Sequence, residues 1–166
     1  SIMKIALILG SSSDMPVAEK AFEIFAHFGV EYEIRILSAH RTPDAAAEFS
    51  RNARKQGFGV IIAIAGMAAH LAGAIAAHTT LPVIGVPCKG GALDGLDALL
   101  STVQMPSGVP VATVALNGGL NAALLAVEIL ALTDDRLADG LAAYKQRLAD
   151  DTAQKDAQLQ GKLNER

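Results

Sequence analysis

Five short apolar runs, beginning at Lys4, Glu31, Val60, Pro82 and Val111, recur along the chain at intervals of 27, 29, 22 and 29 residues. That interval is about what one strand and one helix consume together. Between the runs the apolar residues change to helical spacing, as with Val17, Ala21, Ile24, Phe25 and Phe28 ahead of Gly29. Strands alternating with helices, joined by right-handed crossovers, build a parallel sheet covered on both faces. In such a sheet ligands bind beyond the carboxyl ends of the strands.

Taken in order, Lys4 to Leu9 is a near-continuous apolar run, expected to be the central strand. Asp14 can cap the next helix, which has Pro16 in its first turn. The run from Glu31 to Leu37 alternates apolar and polar residues, as nearer an edge. Pro43 then opens a helix expected to reach about Gln56 and stop at Gly57. A strand from Val60 to Ala65, an alanine-rich helix to about His78 and a short strand from Pro82 to Val86 follow. A small helix is expected within 90–104, a fifth strand from Val111 to Leu116 and an apolar helix from Asn121 to Leu132. A polar helix from about Asp134 carries Leu137, Leu141, Tyr144 and Leu148 on one face, and beyond Asp151 it extends past the body or frays. The fold expected is α/β, a three-layer αβα flavodoxin-like (Rossmann-like) domain with a five-stranded parallel sheet and an extra C-terminal helix. Residues 1–150 form the catalytic domain and 151–166 a polar extension.

From Phe58 to Cys88 there is no Asp, Glu, Lys or Arg, a length that could span a bilayer. The β-branched Val60-Ile61-Ile62, the interruptions at Gly66 and Gly73, and His70, His78, Thr79, Thr80 and Pro82 make it a buried strand–helix–strand unit instead. No membrane partner is expected. A formal net charge of −3 without a basic run gives no footprint for nucleic acid. The lone Cys88 reads as a small buried hydrophobe in a reducing, cytoplasmic setting. Met3-Lys4 leads straight into the first strand with no signal peptide, and Ser1-Ile2 reads as a cloning remnant. Abundant alanine and little charge also hint at surface hidden between subunits.

Three turns at the carboxyl ends of strands one to three carry the chemistry. Gly10-Ser11-Ser12-Ser13-Asp14 offers hydroxyls and N–H groups at a helix N-terminus, where a phosphate is favoured. Ser13 or Asp14 could equally be a plain cap. An acid beside a phosphate is repelled, so Asp14 suits sugar hydroxyls and leaves the phosphate to Ser11 and Ser13. The turn lacks the Gly-Lys-Ser/Thr of a Walker loop, and no G-x-G-x-x-G follows strand one. In Leu37-Ser38-Ala39-His40-Arg41-Thr42-Pro43, Arg41 offers a planar fork to a phosphate and His40 can give or take a proton in one cycle. Ala65 to Ala69 is nearly bare backbone, which shapes a tight apolar pocket. His70 and His78 share a helix face without a ligand-spaced partner, so no metal is expected.

Gly10-Ser-x-Ser-Asp14, Ser38-Ala-His-Arg-Thr-Pro43, Ala68-Ala-His-Leu71, Gly85-Val-Pro87 and Leu99-Leu-Ser-x-Val-Gln-Met-Pro106 with Gly108-Val-Pro-Val-Ala-Thr113 occur in this order. Together they closely resemble the PurE family of purine biosynthesis, in register from about Lys4 to Leu132. The resemblance implies a homo-octamer that moves a carboxylate of N5-carboxyaminoimidazole ribonucleotide (N5-CAIR) from the exocyclic nitrogen to ring carbon C4, giving CAIR through aminoimidazole ribonucleotide (AIR) and CO2. It implies no ATP, biotin or metal. It gives the substrate's ribose phosphate to Ser11, Ser13, Asp14 and Arg41, and catalysis to His40 with His70 as second histidine. Ser38 and Gly66 line the same pocket, and Ala68 and Ala69 could complete a small, dry cage for CO2.

Two departures stand out. The family often has Gly-Gly-Ala-Ala-His-Leu-Pro-Gly where this chain has Gly66-Met67-Ala68-Ala69-His70-Leu71-Ala72-Gly73. Its usual Gly-Lys-Ala-Gly is replaced by Asn117-Gly118-Gly119. A carboxylase branch that uses free CO2 typically has lysine after the histidine, so Arg41-Thr42-Pro43 favours the mutase branch (class I). Rival readings are that carboxylase and, in another class, a non-catalytic nucleotide-binding flavodoxin-like module, with or without flavin.

Overall fold

A computed structural model describes residues 3–166, so Ser1-Ile2 and the reading attached to them lie outside the described residues. The chain divides into two compact units, one ending at Leu130 and the other running from Ala131 to Arg166.

The first unit holds a parallel sheet of five strands: β1 (Lys4–Leu9), β2 (Tyr32–Ile36), β3 (Phe58–Gly66), β4 (Val83–Cys88) and β5 (Ala112–Thr113). Their order is β2-β1-β3-β4-β5, all parallel. This is the flavodoxin-like order, which reverses direction between β1 and β3. The expectation that the first strand is central needs correction, because β3 holds the middle and β1 lies beside it. Ile5 to Leu9 and Phe58 to Ile64 are buried, and coverage on two faces is what their composition encodes. Position within the sheet is a separate matter, set by crossovers.

Helices α1 (Met15–Phe28), α2 (Pro43–Asn52), α3 (Leu71–Ala76), α4 (Leu96–Val103) and α5 (Gly119–Ala131) connect or follow the strands. One core face brings Ala6, Ile8, Ile61 and Ala63 of the sheet against Ala46 and Phe49 of α2 and Leu71, Ala72 and Ile75 of α3. On α5, Gly119 lies so near α1 that a Cβ there would run into the Val17 carbonyl. β2 is the edge strand its alternation indicates: Tyr32 stacks on Phe22 and Phe25, and Lys4 Nζ reaches Glu33 across the strand pair at 2.9 Å.

Three elements depart from expectation in length. α3 stops at Ala76, because the His78 N–H turns back to the Ile75 carbonyl and tightens the last turn before Pro82. α2 stops at Asn52, and single turns carry the chain to Gly57 at φ 90°. β5 pairs only Ala112 and Thr113, with Ile84 and Gly85, since farther along β4 Pro87 has no N–H to donate. In the second unit, helix α6 (Asp135–Asn164) is capped by the Asp134 carboxylate, which accepts from the Leu137 N–H, and it continues without a break well past Asp151. Among the described residues no helix is long and apolar enough to cross a membrane.

Candidate active site

The three turns beyond β1, β2 and β3 surround one cleft of about 400 Å³. Gly10, Ser11, Ser13, Asp14, Ser38, His40, Arg41, Gly66 and Ala68 line it, with Ala39, Ala65, Met67 and Leu71.

On the first turn, Ser11 Oγ accepts from the Ser13 N–H at 3.3 Å and from the Ser13 hydroxyl at 3.0 Å. Asp14 Oδ2 accepts from the Ser11 N–H at 3.2 Å, completing a reciprocal cap. The cap is Ser11, on the single turn Ser12–Asp14, with Asp14 as its reciprocal partner; Asp14 stands at the start of α1 without a side-chain cap bond to it, so the reading of Ser13 or Asp14 as the plain cap of that helix needs correction. Asp14 is the one carboxylate among the buried described residues, at 9% exposure. Burial pushes its carboxyl above the usual range, while hydrogen bonds from the Cys88 thiol and the Ser11 N–H pull the other way. Cys88 is buried as expected but is more than a hydrophobe: burial and the adjacent Asp14 charge push its thiol up to about 12. It stays protonated and serves Asp14 as a donor.

The second turn is held by its own side chains. Thr42 Oγ1 accepts from the Ser38 N–H at 2.9 Å and donates to the Ser38 carbonyl at 3.1 Å. Ser38 Oγ accepts from the Arg41 N–H at 3.0 Å. Ser and Thr are the residues that fold a loop back on itself in this way. Their bonds fix the backbone of His40 and Arg41 while both side chains stay exposed.

The third turn has few side chains to hold it. Met67 sits at φ 53°, a left-handed conformation that costs an ordinary residue and suits glycine. The frequent glycine of the family run is thus legible as a backbone requirement that Met67 meets under strain. Ala69 does not line the cleft, contrary to the cage reading; it is buried behind it. Its N–H donates to Ser101 Oγ at 2.9 Å and its carbonyl accepts from Thr102 Oγ1 at 3.4 Å, both on α4. His70 is outside the lining too, but its Nδ1 lies 2.9 Å from His40 Nε2, the rings edge to face at 5.0 Å. One ring donates and the other accepts, so a single proton lies between two nitrogens that the sequence separates by thirty residues. Sequence reasoning named both histidines without their contact. It gave no role to Ala39 or Leu71, whose small or apolar side chains carry no signal apart from position. Among the described residues no group of His, Cys, Asp and Glu could hold a metal ion.

The sequence model of a family described as AIR carboxylase matches residues 4–151. A Thermotoga maritima protein named N5-carboxyaminoimidazole ribonucleotide mutase is 50% identical over 157 residues, covering 95% of this chain and 92% of its own. A Mycobacterium tuberculosis protein of the same name is 53% identical over 163 residues, covering 96% and 94%. The crystal structure of Treponema denticola PurE superposes with a TM-score of 0.86 at 33% identity, covering 93% of this chain and 97% of that one.

Proposed function

The chain belongs to the AIR carboxylase family, and from that premise we propose that it is an N5-carboxyaminoimidazole ribonucleotide mutase in which His40 moves the proton. The observation that carries the reading is the coincidence, in one cleft, of His40, hydrogen-bonded to His70 outside the lining, with two phosphate-suited groups, the serine turn and Arg41.

In this reading Ser11, Ser13 and Arg41 hold the phosphate of N5-CAIR and Asp14 accepts from the ribose hydroxyls. The bond from the exocyclic nitrogen to its carboxylate carbon breaks, CO2 leaves, and the electron pair returns to nitrogen, which takes a proton from His40. The AIR so formed is an enamine. Its C4 attacks the retained CO2, a carbon–carbon bond forms, and the C4 proton returns to His40, so the proton balance closes without a cofactor. With Nε2 engaged to His70, His40 keeps Nδ1 for the substrate, and His70 fixes which nitrogen carries the proton.

Retention of CO2 needs exclusion of water. In one chain Met67 and Ala68 are exposed at the cleft, Met67 by 66%, so the cage closes only with a further cover. Leu93, with Leu96, Leu100 and Val103 at helical spacing on α4, forms an exposed apolar stripe. That stripe supports assembly of copies, as a homo-octamer in line with the family resemblance. A cytoplasmic setting suits the single protonated thiol.

The decisive experiment supplies N5-CAIR together with a pool of isotopically labelled CO2 and follows CAIR. Product carrying the substrate's own carbon supports the mutase. Full exchange with the pool assigns the carboxylase that uses free CO2, and absence of product assigns a non-catalytic nucleotide-binding module.

A further inference from the structure

α2 and α3 run back against the strand direction, so their C-terminal ends meet at the sheet edge opposite the cleft. A second cleft of about 550 Å³ lies there, lined by Arg51, Arg54, Lys55, Ala77, His78, Thr79 and Thr80. Arg51 stands in the last turn of α2 and Arg54 and Lys55 in the turns that follow it, close enough for their like charges to repel. None of the three forms an ion pair with a carboxylate of the described residues, and no acid lines the cleft. Arg54 Nη2 donates to Thr80 Oγ1 at 3.0 Å, which pins the guanidinium to the far wall. The negative end of a helix favours a cation nearby, and one would satisfy α2. It gives no reason for three, nor for an imidazole and two hydroxyls facing them from another turn in a chain of net charge −3.

We propose that this cleft is a second binding site, distinct from the active-site cleft, for the phosphate chain of a small phosphorylated molecule. Arg51, Arg54 and Lys55 supply charge, with the planar fork of Arg54 set for two oxygens. Thr79, Thr80 and His78 supply further donors. A monoanion leaves the repulsion partly uncancelled, so the site selects a ligand with several charges, a pyrophosphate or a nucleoside polyphosphate.

The test is calorimetric titration of the full chain with inorganic pyrophosphate at low ionic strength. Two sites per chain are expected. Arg41→Ala should remove the active-site one and leave the other, whereas Arg54→Ala with Lys55→Ala should weaken the second by about tenfold or more and leave turnover unchanged. Failure of the active-site reading would show as indifference to Arg41→Ala, which separates it from failure of this proposal. Should the double variant not fold, Arg54→Gln alone must still lower the second affinity. Equal affinity for ATP and pyrophosphate assigns the site to the phosphate chain alone, and tighter ATP assigns it to a nucleotide. One site per chain in the parent protein, a second site indifferent to the cation changes, or complete loss of that site in about 0.15 M chloride, as screening alone would give, overturns the proposal.

Discussion

The two walls of the active-site cleft are built on opposite plans. The Ser38–Thr42 wall spends its side chains on its own backbone and then offers His40 and Arg41 to the cleft. The Gly66–His70 wall lines the cleft with backbone, small carbons and the Met67 side chain, and is anchored from behind through Ala69 to Ser101 and Thr102. In the proposed function the first wall supplies the groups that react or bind, and the second supplies shape and, through His70, a partner for His40. Substitutions on the two walls should therefore fail in different ways, the first in turnover or affinity and the second in stability and enclosure.

The largest effect tests the first wall at its proposed proton carrier. His40→Asn should lower kcat by about 1,000-fold, as removal of a general acid–base group does, with nucleotide affinity kept in an equilibrium titration. Full turnover in that variant would end the proton-carrier role. Next, Arg41→Ala should raise KM about 10- to 100-fold, the worth of one charge-assisted hydrogen bond, with kcat much less altered. A loss confined to kcat would move Arg41 from binding to chemistry.

Ser101→Ala reaches the second wall from behind. It removes the acceptor for the Ala69 N–H and should cost about 1 kcal/mol in urea-unfolding stability, with affinity barely changed. The smallest effect is expected at Met67→Gly. Relief of a left-handed cost of about 1–2 kcal/mol is largely offset by the freedom glycine gains when unfolded, so stability should rise by about 0.5 kcal/mol and kcat should hold within about twofold. If Met67→Gly instead depressed turnover as far as His40→Asn, the division of labour between the walls would be wrong.

The fold was legible in the sequence where burial wrote it. The apolar runs at Lys4–Leu9 and Val60–Ala65 mark fully covered strands, and the alternation of Tyr32, Ile34 and Ile36 marks an edge. Which covered strand is central was not legible, because β1 and β3 have the same interior composition and only the crossovers tell them apart. Element ends were lost where one hydrogen bond decided them, as at His78, or where a neighbouring strand had no donor, as at Pro87. At the site, residue types with few bland uses, His40, Arg41 and the serines, could be found from position at strand ends. Ala69 was misplaced because a small residue in a turn looks alike whether it faces the cleft or the core. The His40–His70 contact joins two loops and leaves no local pattern at all.

Cys88 carries one more consequence. Alkylating agents and peroxides attack the thiolate, and a thiol pushed up to about 12 and almost wholly buried offers next to none of it at neutral pH. Asp14, the acid to which the proposed function gives the ribose hydroxyls, is thus braced by sulfur in its least reactive form. Oxidants that act through an activated thiolate therefore have no ready target in this side chain.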